Sequence, residues 1–97
     1  IPAITVDRIQ LAIARQWNVS VDGLRSKTRT KVLTVPRQAA MLLCRELLGL
    51  QLIEIGRLFG GRDHSTVIHS LERASDQYKT DPDFQHRFES AKRQLTA

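Results

Sequence analysis

The sequence predicts an all-α fold of about six helices around a long central core helix. Three observations predict it. Apolar residues recur three and four apart through most of the chain, the period of a helix packed on one face. No stretch alternates apolar and polar residues as a half-buried strand would. The segment 52–71, LIEIGRLFGGRDHSTVIHSL, reads as two helices meeting at a Gly-Gly turn. Ninety-seven residues make a single domain, 1–97, long enough to bury one modest core without cross-links.

The elements follow in order. Ile1 to Ile4 is a lead-in. Thr5 suits an N-cap, and Asp7 falls in the first turn, where a negative charge favours the helix dipole. Val6, Ile9, Ile13 and Trp17 then form one stripe, ending the first helix at about Trp17. On that stripe Trp17 reads as a core anchor rather than a base-stacking ring. Ser20 caps a short helix, 21–24, that ends near Arg25.

The segment 26–34, SKTRTKVLT, carries Lys27, Arg29 and Lys31 between polar residues and has no apolar face before Val32, so we read it as an ordered basic loop. Val35-Pro36 marks a helix start, because proline suits the first helical position. The resulting helix, 36–48, is apolar around much of its circumference through Ala39, Ala40, Met41, Leu42, Leu43, Leu47 and Leu48, and should be the central one. Gly49 closes it. Near the C-terminus, Asp81-Pro82 opens a last helix with Phe84, Phe88, Ala91 and Leu95 on one face.

Between these helices lies the segment about 52–79. Leu52, Ile55 and Phe59 share a face. Gly56 stands inside that helix, where glycine costs about 1 kcal/mol relative to alanine; close approach of another helix backbone would justify it. Gly60 and Gly61 stop the helix, since glycine reaches positive φ freely. Asp63 caps the next, whose inner face is Val67, Ile68, Leu71, Ala74 and Tyr78 and whose outer face carries Ser65, His69 and Asp76. An apolar inner face and a polar first turn are what a helix-turn-helix requires if its second helix is to touch base edges.

Charge points the same way. Fifteen Lys and Arg against ten Asp and Glu give a net charge of +5 and a pI near 10.1, the footprint of a nucleic-acid binder. The excess is local: six basic residues and no acidic one lie between Arg25 and Arg45, whereas the last third alternates signs like an ordinary solvated surface. Cys44 stands alone among apolar neighbours, which excludes an internal disulfide and marks a core thiol. No signal peptide is visible, and the apolar runs are too short to span a bilayer, a pattern that fits the cytoplasm. The chain starts at Ile1 rather than Met, as a piece of a longer protein would.

Other chemistries find no support. His64 and His69 are five apart and share no helix face, and no Cys or carboxylate completes a metal set. Asp63, His64 and Ser65 are consecutive and cannot converge as a triad. Gly60-Gly61-Arg62 lacks the Gly-Lys-Ser/Thr ending of a phosphate-binding loop. Nothing here makes an enzyme. Two non-enzymatic rivals remain, a transcriptional regulator with a similar motif and a basic adaptor for acidic proteins or membranes. Asp63 could also be only an N-cap, and His64 only a surface residue.

The run from Ile55-Gly56 through Gly60-Gly61-Arg62-Asp63-His64-Ser65-Thr66-Val67-Ile68-His69 resembles the C-terminal DNA-binding domain of the bacterial DnaA initiators. The likeness continues through Lys27, Arg29, Val35-Pro36-Arg37-Gln38-Ala39 and Arg45-Glu46-Leu47, from about Thr5 to Leu95. It implies binding to double-stranded DNA at short asymmetric boxes of the TTATNCACA type in replication origins. Asp63, His64 and Ser65 would read bases in the major groove, and Arg29 would enter the minor groove. Arg37, Gln38, Arg45, Thr66 and His69 would hold the backbone, and the charges of Lys27 and Lys31 suit further phosphate contacts. Two departures stand out: Ser65 lacks the methyl of the common Thr, and Ile53 replaces a frequent Pro at an apolar base contact. The resemblance implies no cofactor for this domain. It places ATP in an upstream domain, self-assembly in the full protein, and any membrane contact at the N-terminal edge; with one motif and no sign of a palindrome, a single copy on each box is the simplest geometry. Glu72 would repel phosphate, so only the first half of the recognition helix should lie deep in the groove.

Overall fold

A computed structural model describes residues 3–97; the first two residues of the lead-in lie outside them. Six helices follow one another: α1 (Val6–Trp17), α2 (Val21–Arg25), α3 (Lys31–Leu48), α4 (Leu52–Leu58), α5 (His64–Thr80) and α6 (Pro82–Thr96). No strand occurs among the described residues. The expected caps are in place. Thr5 Oγ1 accepts from Arg8 N at 3.2 Å, Ser20 Oγ from Gly23 N at 2.9 Å, and Asp81 Oδ1 from Asp83 N and Phe84 N at 3.0 and 3.3 Å. Each satisfies a donor that the first helical turn leaves without an intrahelical partner. Asn18 at φ 54° and Gly49 at φ 62° end α1 and α3 in the left-handed conformation.

One apolar cluster draws side chains from every helix, among them Ile9 and Ile13 (α1), Leu24 (α2), Leu43 and Cys44 (α3), Ile55 (α4), Val67 and Ala74 (α5), and Phe84 and Phe88 (α6). α3 lies at the centre, packed against α1, α2, α4 and α5, while α6 closes over α1 and α5. Trp17 is half-buried, with its ring edge-on to Phe84 at 5.5 Å and the Arg87 guanidinium 5.8 Å above it. It anchors the core, as its stripe predicts.

Three local readings change. The central helix starts at Lys31, not Pro36, so the basic loop is only residues 26–30. Thr30 O accepts from Leu33 N and Thr34 N at 3.0 and 2.8 Å and closes the first turn. Leu33 presses on α2 so tightly that a Cβ on Gly23 would meet its Cδ2 at 2.7 Å. Proline inside a helix forfeits one hydrogen bond and crowds the preceding turn; burial of Pro36 and the Leu33 contact offset that cost. Second, the neighbour that requires glycine at 56 is not a helix but the turn itself: a Cβ there would lie 1.9 Å from the Arg62 carbonyl oxygen. Third, Ile68 is exposed, because the buried stripe of α5 runs through Val67, Ser70 and Ala74, with Leu71 and Tyr78 half-buried beside it.

Candidate nucleic-acid interface

The turn between α4 and α5 sets the geometry of the site. Gly60 and Gly61 adopt φ of 90° and 72°, which side chains other than glycine rarely reach. Arg62 N then donates back to Gly56 O at 2.9 Å, folding the turn against α4. Asp63 follows as the N-cap, its Oδ1 accepting from Thr66 N at 2.9 Å. That backbone bond, first among several donors around the carboxylate, holds the Asp63 pKa below its ordinary value. Asp63, His64, Ser65 and Thr66 are all exposed, so a short polar ridge stands at the start of α5.

Two recesses flank this ridge. The larger, about 640 Å³, opens between the basic loop, α3 and α5. Lys27, Arg29, Thr34, Arg37, Gln38, Gly60, Gly61, Arg62, Thr66, His69 and Ser70 line it, with no carboxylate among them. The smaller, about 440 Å³, is lined by Arg45, Gln51, Leu52, Ile53 and His64 and is also free of acidic groups. A helix end between two cation-lined recesses matches a duplex, whose two phosphate strands border each groove.

The structure brings most of the sequence-selected residues together here. Lys27, Arg29, Gln38, Thr66 and His69 share the larger recess, and Arg45, Ile53 and His64 the smaller. Asp63 and Ser65 lie exposed on the ridge, and Lys31 is exposed on the first turn of α3. Gln38 Oε1 accepts from Gln77 Nε2 at 3.1 Å, and Arg45 Nη1 donates to Leu50 O, so both side chains are already oriented. Ile53 is 60 % exposed, an apolar group with nothing of this chain covering it.

Arg37 is placed differently from the other cations of the site. It is 3 % exposed, and its guanidinium donates inward: Nε to Leu24 O, Nη1 to Thr28 O and Nη2 to Gly23 O, each at 2.8 Å. Burial, and secondarily the charge of Arg62, pull its pKa down to about 10, so it remains cationic at neutral pH. A phosphate would have to compete with three backbone carbonyls for most of that fork, although Arg37 also borders the larger recess.

Arg62 is the group that residue-level reading passed over. Its Nη1 donates to Phe59 O, and its guanidinium borders the larger recess. Burial first and Arg29 second lower its pKa. It belongs to neither helix face, so periodicity gives no sign of it; only its place in the Gly-Gly-Arg-Asp-His run does.

Among the described residues, no three His, Cys, Asp or Glu side chains are placed to hold a metal ion. No described helix is long and apolar enough to cross a membrane.

The chain is similar to known proteins in sequence and in fold. The family described as the bacterial dnaA protein helix-turn-helix matches residues 6–74. The chromosomal replication initiator protein DnaA of Levilactobacillus brevis is 43% identical over 93 residues, covering 96% of this chain and 21% of that protein. A solved crystal structure of a DNA replication initiation factor superposes with a TM-score of 0.75 at 31% identity, covering 93% of this chain and 28% of that one. The chain thus spans about a fifth of the length of its curated relative.

Proposed function

The chain belongs to the bacterial DnaA helix-turn-helix family, and on that premise we propose that it binds double-stranded DNA sequence-specifically, at asymmetric boxes of the TTATNCACA type in a replication origin, and so helps to start chromosome replication. The observation that carries this reading is the exposed ridge Asp63-His64-Ser65 at the N-terminus of α5, set between two recesses that hold only cationic and neutral groups.

The major groove admits one α-helix, with base edges presented to its first turn. Asp63 spends Oδ1 on the cap and accepts from a cytosine N4 amine with its other oxygen. His64 and Ser65 supply further donors and acceptors, and the free N–H groups of the helix end attract phosphate. Exposed Glu72, two turns on, repels phosphate and limits how far α5 enters. Arg29 leaves the loop for the minor groove, where A·T-rich sequence narrows the walls and deepens the negative potential. Lys27, Lys31, Arg45, Arg62, Gln38, Thr66 and His69 border the phosphates, and Ile53 offers an apolar surface to a base. With one such motif, a single copy occupies each box. The action is binding rather than turnover and needs no cofactor in this domain. For the longer protein, the same reading extends to an upstream ATP-binding domain, self-assembly at the origin, and residence on the cytoplasmic nucleoid.

Fluorescence-anisotropy titrations in a salt series test this. About four to six phosphate contacts give a log–log slope of roughly −3.6 to −5.4 on a box duplex. The box should outcompete a scrambled duplex by a margin that vanishes when both Asp63 and His64 are replaced. A flat salt response, or binding that ignores those two residues and follows charge alone, would make the chain a basic adaptor instead.

A further inference from the structure

The loop 26–30, Ser-Lys-Thr-Arg-Thr, contains no apolar side chain with which to anchor itself. Left alone, such a segment would sample many conformations and lose that freedom on binding. It is instead held from two sides. From α3, Arg37 reaches under it: Nη1 donates to Thr28 O at 2.8 Å and Nη2 to Ser26 Oγ at 3.4 Å, while Nε and Nη2 grip Leu24 O and Gly23 O at the end of α2. From the helix-turn-helix side, Gly60 packs so close that an added Cβ would stand 2.9 Å from Arg25 O and 3.1 Å from Ser26 O. Arg29 follows Thr28 directly, so the backbone that Arg37 holds is the base of the Arg29 arm.

We propose that Arg37 is a positioning residue: it fixes the Arg29 arm in register with α5, so that one rigid body offers both groups to DNA, and it acts through Arg29 rather than on a phosphate. The inference rests on the DNA-binding reading above. A planar guanidinium has five N–H donors in a fixed fork, enough to bind several carbonyls in different directions at once. Lysine carries the same charge on a single nitrogen and cannot span them. Arg37→Lys therefore separates charge from geometry.

The experiment is a double-mutant cycle on a box duplex with wild type, Arg37→Lys, Arg29→Ala and the double variant, each first melted to show that it folds. Wild type must discriminate the box from a scrambled duplex; if it does not, the functional reading fails before the cycle begins. Positioning predicts that Arg37→Lys weakens box binding by about tenfold or more, yet by less than about twofold in the Arg29→Ala background. A direct phosphate contact predicts near-wild-type binding by Arg37→Lys or losses that multiply in the double variant, and either result overturns the proposal. Should Arg37→Lys not fold, the wild type decides through the ¹⁵N resonance of Arg37 Nε. Held by Leu24 O, that N–H should be sharp and protected in the free protein and nearly unmoved by DNA; fast exchange, or a large shift on adding the duplex, overturns the proposal.

Discussion

Gly56→Ala offers the sharpest test of how the turn is built. In an open helix interior the change would gain about 1 kcal/mol from helix propensity. Here the new methyl would lie 1.9 Å from the Arg62 carbonyl oxygen and 3.0 Å from its carbon. Even close carbon–oxygen contacts are about 3.3 Å, so the two groups must separate by roughly 1.4 Å. Little can yield. Arg62 N is bonded to Gly56 O, the turn runs through two positive-φ glycines, and Phe59 and Val67 on either side are fully buried. Overpacking of this kind costs about 1–3 kcal/mol, and loss of the Arg62–Gly56 bond adds about 1 kcal/mol. Set against the propensity gain, the net destabilisation is about 1–3 kcal/mol. For a domain of this size that lowers Tm by about 5–20 °C. Gly49→Ala is the control. A Cβ there meets nothing within 4 Å, so only the left-handed φ of 62° is strained, at about 1–2 kcal/mol. Far-UV circular dichroism melts of both variants, with anisotropy titrations on a box duplex below either transition, make the comparison. Both should melt earlier, but only Gly56→Ala should also lose box affinity while folded, because only it displaces the turn that aims α5. A Gly56→Ala protein as stable as wild type would refute the close-approach argument.

Other outcomes follow from the same geometry. Arg29→Ala should weaken box binding by about 1–3 kcal/mol without moving Tm, and by less when the A·T-rich end of the box is replaced with G·C; equal losses on both duplexes would make Arg29 a phosphate contact. Asp63→Asn should keep the cap and melt close to wild type, since Asn caps as well as Asp, yet lose about tenfold or more in box discrimination; full discrimination would reduce Asp63 to a cap. Because the folded pKa of Asp63 is depressed, its contribution to stability is present above its unfolded pKa and fades as pH falls through the lower, folded value. In acid melts, Asp63→Asn should therefore remove part of the stability lost at low pH, a difference absent at pH 7. Burial pushes the Cys44 thiol up to about 12, so iodoacetamide at pH 8 should leave it unmodified in the folded protein and alkylate it in denaturant.

The sequence by itself located all six helices of this domain, though not the start of α3, because the signals involved are local. Caps such as Thr5, Ser20, Asp63 and Asp81 bond amides two or three residues away, and stripes such as Phe84–Phe88–Ala91–Leu95 repeat within a few turns. The exposed polar ridge was legible for the same reason, since Asp63, His64 and Ser65 are adjacent in the chain and need no distant partner to share a helix end. What only the tertiary structure decided depends on contacts that no local pattern records. Helix α3 reaches back to Lys31 because Leu33 finds α2, overriding the start signal of Pro36. Gly56 answers to a carbonyl six residues on, which periodicity cannot locate. Arg37 lies in a basic run like any cation bound for phosphate, and its sequence neighbours do not reveal its burial. Its partners, the carbonyls of Gly23, Leu24 and Thr28, are main-chain groups that every residue type carries. Sequence names side chains, but an acceptor common to all residues becomes specific only when folding aims it, and that aiming separates the inward arginine from the exposed one at position 29.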